Sequence, residues 1–270
     1  MTEPFRQLTA STLELGKWQQ LRSGLKAGFT TRNGGVSAAP FATLNLGLHV
    51  PDYTEDVLAN RRKLAEAVHI PMASWVSGEQ IHQTNVHIVT DDDKGKGSRQ
   101  YDTSLKQIDG LMTNRQGILC TAFFADCVPI YFLDPSSGYV GIAHAGWKGT
   151  VNRIGRKMVE ALQSAGADPA DIHVAIGPSI SGDAYEVDER VVNHIPDAFF
   201  ERTVTDQGSN RFLLDLKQLN VEILLQQGVL RHNIDITHYC TFRDETLFFS
   251  HRRDQGKTGR MLGYIGYEND

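Results

Sequence analysis

Two neighbouring segments carry most of the chemistry in this 270-residue chain. Residues 123–129 (FFADCVP) set Cys127 beside Asp126 and two positions before a proline; residues 141–149 (GIAHAGWKG) follow with His144, a glycine-rich stretch and Lys148. A thiol and an imidazole delivered to neighbouring strand ends suit either a metal or a cysteine nucleophile. His82, in GEQIH at 78–82, is the third candidate, and it lies far enough away in the chain that the three must converge from different elements. Three protein ligands with one open position is the pattern of a catalytic zinc, whereas structural sites close with four. The same two-histidine, one-cysteine set takes copper when a weak axial ligand completes it. A multicopper cluster also needs many paired histidines, and the chain contains no His-x-His. Cys127 with His82 or His144 as base and Asp126 nearby is equally the parts list of a cysteine hydrolase. Metal content separates these readings, because a firm metal ligand is a poor attacking atom.

The cations admit an anionic ligand, beside the plainer readings of an internal ion pair for Arg61 and a solvated face for the tail run. A helix beginning after His144 would turn the backbone N–H groups of residues 146–150 toward an anion, with Lys148 adding a point charge. That turn matches neither a Walker A loop nor GxGxxG. Arg61 falls on the apolar stripe of a helix predicted over 54–68, with Val57, Leu64 and Val68. A guanidinium there needs an internal carboxylate or an anionic ligand, unless it snorkels to solvent. Near the C-terminus, SHRRD at 250–254 and Arg260 add further charge, and Arg252 or Arg253 suits a phosphate.

The elements that must position these residues read as one α/β domain over 1–270 with mixed sheets. Strands are expected at 25–31, 80–82, 86–89, 118–124, 130–133, 139–143 and 172–176, with a break at 127–129 because Pro129 cannot donate to a ladder. Residues 145–149 read as a tight turn before a helix over 150–165, with further helices near 188–195 and 214–227. Residues 91–107 read as an exposed polar loop, and the tail as strand-rich around 239–241 and 247–250. Several strands are joined by hairpin-length loops, which disfavours a parallel doubly wound sheet.

Composition bounds the function. A net charge of −5, with 40% hydrophobic and 22% charged residues, is ordinary for a globular protein and argues against a general nucleic-acid binder. No apolar run approaches the roughly 20 residues needed to span a bilayer, and the N-terminus does not read as a signal peptide. The three cysteines, Cys120, Cys127 and Cys240, make no disulfide framework and no CxxC pair, so a cytoplasmic location is expected.

The motifs together resemble the YfiH/YlmD family, once labelled multicopper polyphenol oxidases or laccase-domain proteins. The match runs through FTTRNGGVS, LNLG, Asn60-Arg61, GEQIH, Asp109-Gly110, ADCVP, HAGWKG, IGPSI, YCT, FFSHRRD and TGR. Gln83, where Gly is frequent, and His251, where Tyr is common, depart from it. The resemblance implies a layered α/β sandwich with mixed sheets and a zinc site of His82, Cys127 and His144, with copper second. It implies purine nucleoside phosphorylase activity on adenosine, inosine, guanosine and methylthioadenosine, with adenosine deamination. Amide hydrolysis that edits a peptidoglycan precursor and laccase-like phenol oxidation are the alternatives. On this reading Asp126 orients a ligand, and Arg61, Lys148, Arg252 and Arg253 serve the phosphate. The expected partners are purine nucleosides and phosphate, with neither nucleic acid nor membrane, in a monomer or weak homo-oligomer.

Overall fold

The strand Ile118–Phe124 is buried along its whole length because both of its faces meet protein. Ile118, Cys120, Ala122 and Phe124 point into one core, and Leu119 and Phe123 into another, the alternation a pleated strand imposes. Extending this two-sided burial across neighbouring strands gives the architecture of the computed structural model, which describes residues 3–269. One six-stranded sheet runs in the order Arg6–Gln7, Thr12–Glu14, Leu25–Thr30, Met261–Tyr267, Ile118–Phe124, Trp75–Ser77. A second runs Ile234–Ile236, His173–Ile176, Val128–Leu133, Val140–Ala145, Gly110–Thr113, Val86–Ile88. Each sheet mixes pairings: Trp75–Ser77 is parallel to Ile118–Phe124, whereas Met261–Tyr267 is antiparallel to it. A small third sheet joins Glu186–Val187, Arg211–Leu214 and Val204–Gly208.

The two large sheets pack face to face through Phe29, Phe124, Tyr131 and Ile142. Helix Thr54–Val68 covers the outer face of the first, on Leu119, Phe123 and Leu262. Helices Ile154–Ser164 and Leu216–Gln226 cover the outer face of the second. The expected layered α/β sandwich with mixed sheets is thus the observed one. No helix among the described residues is long and apolar enough to cross a membrane.

Several local expectations change. The chain breaks earlier than Pro129 suggested: residues 125–127 form the turn, with Asp126 at φ +86°, and Val128 and Pro129 already sit in their strand. Residues 80–82 are irregular rather than a strand. The helix expected from residue 150 begins at Trp147, and Arg153 at φ +66° splits it into Trp147–Val151 and Ile154–Ser164. In the tail, 239–241 and 247–250 are buried, apart from the half-buried Tyr239 and Leu247, but are not strands, save for an isolated bridge between Ser179 and Cys240. The terminal strand is Met261–Tyr267.

Arg61 is also corrected. It is 1% exposed, as its place on the apolar stripe required, but its partner is neither a carboxylate nor an anion. Its Nε and Nη2 donate to the Leu46 carbonyl at 2.9 and 2.7 Å, and Nη1 donates to the carbonyls of Gly97 and Ser98 at 2.7 and 2.8 Å. Its guanidinium also lies 4.8 Å from the centre of the Phe123 ring. Burial lowers its pKa to about 9. Arg61 therefore pins the loop at residues 91–107 to the helix, and that loop is anchored rather than free, with Asp93 and Ser98 buried. Arg61→Met leaves three carbonyls without a donor, at roughly 1–3 kcal/mol each. Urea denaturation is expected to show a loss of about 3 kcal/mol or more, while a direct phosphate contact would instead have left stability intact.

Candidate metal centre and its cleft

Asp109 ends the segment that leads into strand Gly110–Thr113, and that strand pairs with Val140–Ala145, which carries His144. The pairing places the two side by side: the His144 N–H donates to the Asp109 carbonyl at 2.8 Å. The Asp109 carboxylate then accepts from His144 Nδ1 at 2.9 Å. It also accepts from three successive backbone N–H groups, those of Ile81, His82 and Gln83, at 3.2, 3.0 and 2.9 Å. Burial opposes the Asp109 charge, but the hydrogen bond and positive charge of His144, with the N–H groups of Gln83 and Ile81, hold its pKa below the usual carboxylate range. One carboxylate thus shapes the loop that holds His82 at φ +60°, a conformation non-glycine residues seldom adopt. It also fixes the orientation of His144, with Nδ1–H donating, so that Nε2 is the nitrogen offered to a metal once its own proton is lost.

Cys127 reaches the same point from the turn between its two strands. The donor atoms of His82, Cys127 and His144 lie within 4.8 Å of one another. The space around them is tailored by Gly146, where a Cβ would stand 2.8 Å from His82 Cδ2 and 3.0 Å from Cys127 Sγ. Burial raises the pKa of the Cys127 thiol, but the charge of His144 and hydrogen bonds from both histidines outweigh that and pull it well down. Conversely, burial alone would lower His144, yet the Cys127 charge and the Asp109 hydrogen bond raise it. The sulfur is therefore already biased toward thiolate, the form a metal binds. Cys120 is the contrast: burial pushes its thiol up, and it is inert. Two imidazole nitrogens, one of them braced by Asp109, and one thiolate fit a zinc or copper ion in their chemistry.

The trio opens onto a cleft of about 540 Å³. Of the four cations expected at a phosphate, Lys148 and Arg252 line it, and Arg61 and Arg253 do not. Arg253 spends its donors on the carbonyls of Thr241, Phe242 and Phe248 and on Asp254. Asp126 borders the cleft but orients neither histidine. Its carboxylate accepts from Thr241 Oγ1 at 2.6 Å, Ser250 Oγ at 3.0 Å and the Arg252 N–H at 2.7 Å. It ties the tail to the turn and so sets where Arg252 begins. The carboxylate bonded to a candidate ligand is Asp109 rather than Asp126, and its only sequence signal was an Asp-Gly before a strand. Arg260, named among the tail cations, also lines the cleft, as do His49 and Tyr185, which no sequence signal marked. Desolvation, then the charges of Arg260 and Arg61, lower the pKa of His49 to about 4. Of the two departures from the family pattern, His251 lines the cleft, and Gln83 contributes its backbone N–H to Asp109.

Residues 26–268 match the family described as multi-copper polyphenol oxidoreductase laccase. The chain is 46% identical over 269 residues to a Bacillus subtilis protein named purine nucleoside phosphorylase YlmD, covering 97% of each. It superposes on the crystal structure of Bacillus licheniformis hypothetical protein YfiH with a TM-score of 0.95 and 42% identity, covering 99% of this chain and 100% of that one. YlmD from Geobacillus stearothermophilus gives a TM-score of 0.95 and 43% identity over the same shares.

Two substitutions test the geometry. Asp109→Asn replaces the carboxylate that fixes His144 and is expected to weaken zinc affinity about 10- to 100-fold, read by competition against a chromogenic chelator. Gly146→Ala forces a methyl group between His82 and Cys127, and elemental analysis of the purified variant is expected to show metal well below that of the unaltered protein.

Proposed function

The chain belongs to the multi-copper polyphenol oxidoreductase laccase family, and from that footing we propose that it is a zinc-dependent purine nucleoside phosphorylase. Its substrates on this reading are adenosine, inosine, guanosine and methylthioadenosine, and it also deaminates adenosine. The names borne by its relatives support the reaction class. The observation that carries the reading to this chain is the His82, Cys127, His144 set opening onto a cleft that also presents Lys148, Arg252 and Arg260.

Phosphorolysis brings a phosphate oxygen to the anomeric carbon of the ribose while the bond from that carbon to the purine nitrogen breaks. His82, Cys127 and His144 would hold the ion, which supplies Lewis-acid polarisation at its open position. Lys148 and Arg252 attract and orient the dianion as it approaches, while Arg260 packs beside His49. Arg252 is braced for this by the Glu186 carbonyl, 2.7 Å from its Nη1, and by the Tyr185 ring, 5.0 Å from its guanidinium carbon. Asp109 keeps the His144 imidazole turned, and Cys127 serves as a ligand rather than as the attacking atom.

Zinc is favoured over copper by the donors around the cleft. A blue-copper centre takes a weak axial ligand, usually a methionine, and no methionine is among the residues lining this cleft. An oxidase cluster would need histidine pairs that the sequence lacks.

Incubating the zinc-loaded protein with inosine, with and without phosphate, tests the proposal. Phosphate-dependent release of hypoxanthine and ribose 1-phosphate is expected, with Cys127→Ala lowering it at least 100-fold. Release without phosphate would identify a hydrolase. No release, with turnover of an aminoacyl-muramyl precursor instead, would replace the proposal with cell-wall editing.

A further inference from the structure

We propose that His49 is the residue that reads the purine base, contacting its 6-substituent, an assignment that rests on the nucleoside reading above. The cleft has two aromatic flanks around the metal ligands. On one, the rings are already covered by cations: Lys148 Nζ lies 5.6 Å from the centre of Trp147, and the Arg252 guanidinium 5.0 Å from Tyr185. That flank suits an anion. Trp147, Tyr185 and Arg252 also continue into an adjoining cleft, which His49, Tyr101 and Phe123 do not line.

The other flank is built around His49. Its ring lies 5.7 Å from Tyr101 and 5.8 Å from Phe123, nearly perpendicular to the latter at 65°. Behind Phe123, Arg61 closes the wall from the protein side. The His49 imidazole makes no side-chain hydrogen bond with the described residues and is exposed to the cleft. Gln80, its polar neighbour in the lining, is consumed by the Phe123 backbone, with Nε2 donating to the carbonyl at 2.9 Å and Oε1 accepting from the N–H at 2.8 Å. His251 also lines the cleft, but no ring contact among the described residues holds it against a flat ligand.

His49 is neutral at physiological pH, so its ring carries one N–H donor and one lone pair, exchangeable between tautomers. A donor facing the cleft serves the carbonyl of a 6-oxopurine; the other tautomer accepts from the amino group of a 6-aminopurine. A single residue thereby admits both base classes, which a fixed carboxylate or ammonium would not. The aromatic walls add stacking surface that is indifferent to the substituent.

The test compares unaltered protein, His49→Phe and His49→Gln, all zinc-loaded. Inosine, adenosine and purine riboside, which lacks the 6-substituent, are the substrates. Phe keeps the ring packing and removes the hydrogen bond. Its kcat/KM is expected to fall about five- to tenfold on inosine and adenosine, while purine riboside and the KM for phosphate stay within about twofold. Gln, which offers a donor and an acceptor, is expected to retain most of the activity on all three. Calorimetric titration of hypoxanthine, adenine and purine reads the same contact without turnover. It separates failure of the base assignment from failure of the phosphorylase reading: an unaltered protein that binds bases with this His49 dependence but releases none would overturn only the latter. Equal losses on all three ligands in His49→Phe, a raised KM for phosphate, no loss at all, or no base binding by the unaltered protein would each overturn the assignment.

Discussion

A buried carboxylate with four donors is the constraint on which the site depends. Asp109 is 3% exposed, and a charge so placed is tolerable only when its oxygens are fully engaged. The donors that engage it belong to the His82 segment and to His144. Satisfying the carboxylate and bringing two of the three candidate metal ligands together are therefore one event. The third arm, Cys127, needs no such brace, because the turn between two buried strands leaves it little freedom. Gly146 then keeps the meeting point clear of side-chain atoms.

Asp126 shows the same physics on the other side of the cleft. Its oxygens gather Thr241, Ser250 and the Arg252 N–H, closing an irregular tail onto the strand turn. The carboxylates divide the work: one sets the ligands, the other sets the tail that brings Arg252 to the rim. Arg61, expected at the anion, does comparable work from below, joining a helix to two loops through carbonyl oxygens. Asp126 and Arg61, charged groups that look catalytic in the sequence, are structural braces here.

What the sequence made legible follows from locality. Cys127 and His144 stood out because an apolar run broken by Pro129, and another ended by glycines, mark strand ends. Helix 54–68 and the strands at 118–124 and 173–176 follow from periodicity and apolar content, and the layered architecture with them. His82 was one permitted third candidate among ten histidines and the family resemblance selected it, since it sits in irregular chain where a strand was expected. Asp109 was unreadable as an orienting group because its partners lie in two other segments. The strand Met261–Tyr267 was hidden by its glycines, which lower strand propensity. Gly263 is there because a Cβ would meet the Tyr131 hydroxyl at 2.7 Å and Ile142 Cδ1 at 2.8 Å, between the packed sheets. The tail misled in the opposite way: its buried aromatics mimic strands while packing as loops.

The central claim is that His82, Cys127 and His144 hold one metal ion with a coordination position left open. X-ray absorption at the metal edge of the protein as purified tests it most directly. The expected spectrum is that of zinc with one sulfur at about 2.3 Å, two imidazole nitrogens at about 2.0–2.1 Å and one light-atom ligand from solvent. A sulfur-free shell, or a shell closed by four protein ligands, would contradict the account.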